Sequence, residues 1–230
     1  MTQVAGRLLG HGQHACFIVS DIGINHNGDM ELARRMVEAA ATCGADSVKS
    51  KNYSLRASSR TAHSCIPTYF QSYGLPIMRT RAFNHEGPRR GDVFVTSNFA
   101  KQVAEIEAGL REPIVYVGDL KPRRDYSDVR DIVRGYWTLL ERGEPGEVYN
   151  LCSGRSWLIQ EVLDFYLRES RVKDIAVKTD PARMRPSDVM ILEGDPSKIA
   201  KLGWKVEIPF ERTLADLLAY WRQRTSSSSR

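Results

Sequence analysis

The sequence predicts an α/β fold with a mainly parallel sheet, and three observations predict it. Apolar runs of strand length alternate along the chain with stretches whose apolar residues recur every three to four positions. Gly, Pro, Asp and Asn punctuate the boundaries between the two kinds of segment. The composition, 42% hydrophobic and 27% charged over 230 residues, is that of a globular chain able to bury a core.

Residues 16–22 form an apolar run that reads as a buried strand, and residues 23–28 follow as a polar loop. Asp29 caps a helix with Leu32, Met36, Val37 and Ala40 on one face, ending near Gly44, and residues 46–49 return as a second short strand. This is one βαβ unit, whose parallel strands need both faces covered. Residues 50–67 change character: Ser, Arg, Thr and His dominate, no period of strand or helix survives, and the stretch reads as a junction or linker.

The alternation then resumes. Residues 75–80 read as a strand, Phe99, Val103, Ile106 and Leu110 as a helix stripe, and residues 113–117 as another strand. Val129, Ile132, Val133, Tyr136, Trp137 and Leu140 mark a strongly amphipathic helix, followed by a strand over 147–151. Ser156 is the expected cap of a helix bearing Leu158, Ile159, Val162, Leu163 and Tyr166, and residues 175–178 are a further strand. Asp195-Pro196 opens a short helix that Gly203 ends, and Leu214, Leu217, Leu218 and Trp221 form the last one. Trp137, Trp157, Trp204 and Trp221 sit at apolar positions or turns and are expected in the core. The chain thus divides into residues 1–49, a junction over 50–67, a main portion over 68–225 and a serine-rich tail over 226–230 expected to be disordered.

Composition excludes several functions. Cys16, Cys43, Cys65 and Cys152 lie far apart with no C-x-x-C pair, which argues against a zinc site or a disulfide framework and fits a reducing cytoplasm. No run has the length of a secretory apolar region or a membrane span. The net charge of +5 is dispersed among acids, with local clusters only at Arg79, Arg81, Arg89 and Arg90 and at Lys121, Arg123 and Arg124. Nucleic acid would need a broader basic face with interleaved aromatics, whereas two small clusters suit a compact anion such as a diphosphate. No G-x-G-x-x-G or G-x-x-G-x-x-G opens a helix after a strand. Gly23 and Gly28 have a P-loop-like gap, but Asp29-Met30 stands where Lys-Ser/Thr would be, so the phosphate cradle is missing.

Two resemblances follow from quoted residues. Phe17-Ile-Val-Ser-Asp-Ile-Gly-Ile-Asn-His-Asn-Gly-Asp29, the helix after it, and Gly44-Ala-Asp-Ser-Val-Lys49 resemble the opening of the N-acetylneuraminate synthase family. That resemblance implies a single TIM-barrel-like βαβ unit over 1–49, with Asp21 where the family has a strand-end Glu and Lys49 matching its strand lysine. One βα unit of the eight in such a barrel is present, and the family's metal-ligand histidines have no counterpart.

The larger resemblance rests on Arg81-Ala-Phe-Asn84-His-Glu-Gly-Pro-Arg89-Arg90, Phe94-Val-Thr, Gly118-Asp-Leu-Lys-Pro-Arg-Arg124-Asp125-Tyr-Ser-Asp-Val-Arg-Asp131, Val148-Tyr-Asn-Leu-Cys-Ser-Gly, Arg185-Pro-Ser-Asp188 and Gly194-Asp-Pro-Ser-Lys. Residues from about 69 to 224 resemble the C-terminal half of the extended short-chain dehydrogenases that act on GDP-sugars, the GDP-4-keto-6-deoxymannose reductases and GDP-mannose 4,6-dehydratases. It implies a partial Rossmann-like sheet, a GDP-sugar ligand, and NADP or NAD as the family's cofactor. A diphosphate pocket needs guanidinium forks for oxygen pairs and amide or carboxylate groups for base and ribose edges. The resemblance therefore implies Arg124 and Arg185 on the diphosphate, Asn84 at the phosphate–sugar linkage, Arg90 as a further contact and Asp188 accepting from ribose or guanine. The residues alone leave other roles open: Arg124-Asp125 bracing a loop, Arg185-Pro186 ending a strand. Arg130 and Asp131 read as helix-cap and surface charges.

The family's Tyr-x-x-x-Lys, in which the lysine lowers the phenol's pKa, has no counterpart: Tyr53 is followed four residues on by Ala57, Tyr69 by Tyr73 and Tyr73 by Ile77. The chain thus resembles a junction of two sugar-pathway proteins, expected to keep substrate-binding residues while lacking catalytic ones. The other functions left open are a non-catalytic GDP-sugar-binding module and a synthase-like protein. The expected partners are a small GDP-sugar, no nucleic acid and no membrane. An unpaired sheet edge further predicts association with a second copy or a complete homologue.

Overall fold

The computed structural model describes residues 2–4, 7–9, 19–23, 35, 47–50, 78–184 and 189–227. The chain divides into two compact units, one of residues 1–79 with 140–147 and one of residues 80–139 with 148–230.

In the first unit β1 (Thr2–Val4) pairs antiparallel with β2 (Arg7–Leu9). β3 (Val19–Gly23) pairs in parallel with β4 (Ser47–Ser50), with a register irregularity between Asp21 and Gly23. Parallel pairing requires a long crossover, which is why the sequence leaves room for a helix between these strands. That helix, apart from residue 35, and the junction over 51–67 lie outside the described residues.

The remaining elements are β5 (Arg79–Ala82), β6 (Asn84–Glu86), α1 (Val95–Glu107), β7 (Ile114–Val117), β8 (Arg123–Asp128), α2 (Val129–Arg142), β9 (Val148–Leu151), β10 (Ser156–Leu158) and α3 (Ile159–Glu169), then β11 (Ala176–Thr179), a 3₁₀ turn (Pro181–Arg183), β12 (Ile191–Leu192), α4 (Ser197–Ala200) and α5 (Phe210–Ser227). β8 is the hub of one sheet. Its first half pairs antiparallel with β10 and parallel with β12, and its second half pairs parallel with β6, Asn84 opposite Tyr126. β7 and β11 run parallel beside each other, and β5 pairs with β9. The arrangement is α/β, Rossmann-like and mainly parallel.

The core lies between α1, α3, α5 and β7. Phe99, Val103 and Ile106 of α1 meet Val115 and Val117 of β7, Val162, Leu163 and Tyr166 of α3, and Leu214, Leu217 and Leu218 of α5. Each such buried side chain contributes about 1.5–3 kcal/mol of transfer free energy. α1 ends because Gly109 takes φ +70°, a left-handed turn open to glycine, which returns its N–H to Ile106 O.

Several elements depart from the sequence reading. Of the strand expected over 75–80, residues 75–77 lie outside the described residues; β5 runs from Arg79 to Ala82 and β6 follows after Phe83, so much of the Arg81–Arg90 motif is extended chain. β8 carries no apolar alternation, because its buried side chains include carboxylates satisfied by hydrogen bonds. Ser156 does not cap α3. It lies in β10, where its hydroxyl donates to Glu193 Oε2 at 2.6 Å, and the first turn of α3 is held instead by Leu158 N–H donating to Glu161 Oε2 at 2.8 Å. On α2, Ile132 and Leu139 are buried, but Val133 and Trp137 are 58% and 38% exposed, so Trp137 is not core. Leu110 lies past the end of α1 and is exposed as well. Trp204 is buried, its indole N–H donating to Asp131 O at 2.9 Å, while Trp157 and Trp221 are partly buried against the core. Helix α5 runs to Ser227, into the stretch expected to be disordered, aided by the Ser226 hydroxyl donating to Arg222 O at 2.8 Å. No helix among the described residues is long and apolar enough to cross a membrane.

Candidate functional site

β8 sets the site through the two-residue alternation of a strand. Asp125 and Ser127 are buried on one side of β8; on the other, Arg124 lines a cleft of about 510 Å³, and Tyr126 borders that cleft while buried and stacked on Phe210 at 4.9 Å. Asp125 is fully buried and its carboxylate is saturated. Oδ1 accepts from the Ser153 N–H at 2.8 Å and hydroxyl at 2.7 Å, and Oδ2 from the N–H groups of Gly154 and Gly194 at 3.0 and 3.2 Å. Asp125 is thus the brace of this strand, and Arg124 is delivered to the cleft by its neighbour's anchorage. The Arg124 guanidinium donates from Nη1 to Arg123 O at 2.8 Å and Met190 O at 3.3 Å. Asn84, in register with Tyr126 on the neighbouring strand, also lines the cleft and donates from Nδ2 to Asp125 O at 3.3 Å.

The other walls come from the carboxyl ends of β7 and β11 and from the start of α1, the positions at which open α/β sheets take ligands. Gly118 and Asp119 follow β7 directly. Asp180 follows β11, caps the 3₁₀ turn by accepting from Ala182 N–H at 2.9 Å, and accepts from Arg183 Nε at 3.1 Å. Arg183 Nη1 donates to Asn98 Oδ1 at 2.7 Å across the cleft lining, and Asn98 Nδ2 in turn donates to Asp92 O at 2.9 Å. Gly118 is required here: a Cβ on it would stand 2.5 Å from Arg183 O. Arg183, Asn98, Phe94 and Gly118 were not singled out as site residues from the sequence. The available signal was Asp180-Pro181 after a strand, which marks a capped turn.

Of the residues expected to bind, Asn84 and Arg124 are brought together in this cleft. Arg90 is not one of its lining residues: its guanidinium lies 3.3 Å from the ring centroid of Phe94, which does line it, and its Nε is 3.4 Å from Glu86 Oε2. Arg185 and Asp188 lie outside the described residues. In the first unit Asp21 stands opposite Lys49 in the β3–β4 register. Arg130 is half exposed and paired with Asp128 and Asp216, and Asp131 is buried, accepting from the N–H groups of Glu207 and Ile208.

Burial pushes the Glu86 carboxyl above its ordinary range, offset in part by the Thr96 hydroxyl bonded to it at 2.7 Å and by Arg90. The Tyr126 phenol is raised by burial and then by nearby Glu86, so at neutral pH it keeps its proton. Asp92 is held below the usual carboxylate range by its hydrogen bond from Lys101 at 2.6 Å and by that lysine's charge. No group of His, Cys, Asp and Glu among the described residues is placed to hold a metal. Guanidinium and amide groups around a partly apolar cleft can hold an anion and a planar group.

Comparison with known proteins bears on the same residues. The profile of the GDP-mannose 4,6 dehydratase family matches residues 53–217. The chain is 36% identical over 152 residues to GDP-6-deoxy-D-mannose reductase of Pseudomonas aeruginosa, covering 66% of this chain and 50% of that protein. It is 33% identical over 180 residues to GDP-mannose 4,6-dehydratase of Yersinia enterocolitica, covering 66% and 48%. The chain therefore spans about half the length of the curated relatives it matches. Among solved structures, RMD from Pseudomonas aeruginosa complexed with NADPH superposes with a TM-score of 0.65 at 31% identity, covering 71% of this chain and 53% of that one. A dTDP-glucose 4,6-dehydratase from Bacillus anthracis, at 18% identity and a TM-score of 0.64, shares the fold over 90% of this chain and 74% of its own.

Proposed function

Because the chain belongs to the GDP-mannose 4,6 dehydratase family, we propose that the cleft between β7, β8, β11 and the start of α1 takes the nucleoside diphosphate of a GDP-sugar, and that this chain binds the ligand without turning it over. The observation that carries the reading is the convergence of Arg124 and Arg183 with Asn84 and Asn98 on one cleft. Planar guanidinium forks match the oxygen pairs of a diphosphate, and each charge-assisted bond is worth about 1.5–3 kcal/mol. The location at the carboxyl ends of β7 and β11 favours an anion in the same place. The roles given to Arg185 and Asp188 belong to this proposal as further ligands from the segment that follows Arg183.

Among the described residues there is no fit for a pyridine dinucleotide. The sequence holds no glycine fingerprint. The described junction from β6 to α1 bends through Gly87, Pro88 and Gly91 to a helix mouth occupied by Phe94 and Asp92, with Glu86 buried behind it. Phosphates there would meet a carboxylate rather than bare N–H groups. No hydride step is assigned to this chain. Calorimetric titration with GDP, together with assays on GDP-mannose and its 4-keto-6-deoxy product with added NADP(H), tests the proposal. Heat of binding without turnover is the expected result. Turnover of either sugar would remove the non-catalytic part, and no binding of GDP would remove the whole.

A further inference from the structure

We infer that Phe94 is the stacking platform for the purine base of the bound nucleotide, and that Arg90 is a positioning residue behind that ring rather than a ligand. The inference rests on the nucleotide reading of the cleft. Phe94 is 43% exposed and lines the cleft, an unusual place for a large aromatic side chain that the core could have absorbed. The Arg90 guanidinium covers one face of its ring at 3.3 Å, and no other ring contact to Phe94 occurs among the described residues. Since Phe94 lines the cleft, the base is assigned to the remaining face. A cation on one side of a ring and a planar base on the other is a favourable stack, because both partners meet the π faces rather than the edge.

The ring is also held in place before any ligand arrives. Arg90 is fixed by Glu86, which is 2% exposed and receives the Thr96 hydroxyl at 2.7 Å. The loop that carries Arg90 and Phe94 is closed on itself by Arg90 N–H donating to Gly87 O at 3.1 Å, and it is stapled to α1 by the Ser97 hydroxyl donating to Arg90 O at 2.8 Å and by Asn98 Nδ2 donating to Asp92 O at 2.9 Å. Phe94 N–H donates to Gly91 O at 3.3 Å, closing the turn that carries the ring. A platform ordered in advance loses little entropy on binding. The base rather than the sugar is assigned to this wall because stacking needs a flat π partner, and a purine covers a phenyl ring more fully than a pyrimidine does.

GDP and inorganic pyrophosphate, titrated separately into the wild-type chain and into Phe94→Leu, Phe94→Tyr and Arg90→Gln, give the test. Phe94→Leu is expected to weaken GDP about fivefold to tenfold, toward the low end of base-on-aromatic stacking, while leaving pyrophosphate unchanged. Phe94→Tyr should restore GDP affinity, and Arg90→Gln should lose a smaller factor for GDP with no change for pyrophosphate. In the wild type the guanine H8 proton resonance should move upfield on binding, a ring-current signature that a merely structural role would not produce. Equal losses for GDP and pyrophosphate, unchanged GDP binding in Phe94→Leu, or an unshifted H8 would each overturn the platform while leaving the diphosphate reading in place. A wild-type chain that binds neither ligand would overturn both.

Discussion

Replacing Asp125 tests whether the hub strand is held as described. The carboxylate is fully buried and accepts from three backbone N–H groups and one hydroxyl, at 2.7–3.2 Å. Asp125→Ala leaves these donors without an acceptor, at about 1–3 kcal/mol for each that water does not reach. Gly154 is exposed and Ser153 half-buried, so water rescues part of the loss. Removal of the desolvated charge also returns some stability. The net cost works out at about 3–5 kcal/mol, a large share of a domain stability of roughly 5–15 kcal/mol. Asp125→Asn keeps one acceptor oxygen for the Ser153 donors but turns an NH₂ toward Gly154 and Gly194, which should cost about 2–3 kcal/mol. Equilibrium urea unfolding followed by circular dichroism measures both. A loss below about 1 kcal/mol for Asp125→Ala, or a larger loss for the asparagine than for the alanine, would refute the reasoning.

Gly118→Ala places a methyl group 2.5 Å from a backbone oxygen that has no rotamer to yield, so about 1–3 kcal/mol of stability and a measurable part of GDP affinity should be lost together. Glu86 titrates above its ordinary range in the folded chain because burial outweighs its Thr96 and Arg90 contacts. The folded state therefore holds a proton that the unfolded state has released, and wild-type stability should fall as pH rises from the ordinary glutamate pKa through the raised folded value. Glu86→Gln should gain on the wild type across that window, as read from urea midpoints between about pH 4 and pH 8; a constant difference would contradict the assignment. Trp204→Ala should cost about 3–5 kcal/mol and Trp137→Ala under about 1 kcal/mol, since the first is 4% exposed with its indole bonded and the second is 38% exposed. Comparable losses in thermal melts of the two variants would return Trp137 to the core.

The α/β class was legible because helix periodicity survives where helices face a core. Val103, Ile106, Val162, Leu163, Leu214 and Leu217 are buried where their spacing puts them. Spacing shows which side of a helix is apolar and not how much of that side is covered, so Val133 and Trp137 were taken into a core that stops short of them. β8 was invisible to an apolar pattern because Asp125, Ser127 and Asp128 occupy its buried positions, and carboxylates are tolerated there only through partners distant in sequence: Ser153, Gly154 and Gly194 for Asp125, Thr213 for Asp128. Motif resemblance named Asn84 and Arg124, and the structure has both lining one cleft. It missed Asn98 and Arg183, because their pairing at 2.7 Å joins residues 85 positions apart. Nor does a sequence show the aromatic ring against which the Arg90 guanidinium lies.

The most direct measurement is a calorimetric titration of GDP into the wild-type chain and into Arg124→Ala at low ionic strength. Saturable binding to the wild type, weakened about tenfold to a hundredfold by the substitution, is the predicted result, from the loss of charge-assisted bonds worth about 1.5–3 kcal/mol. Binding of equal strength to the two proteins would show that the ligand does not sit against β8 and would contradict the assignment of the cleft.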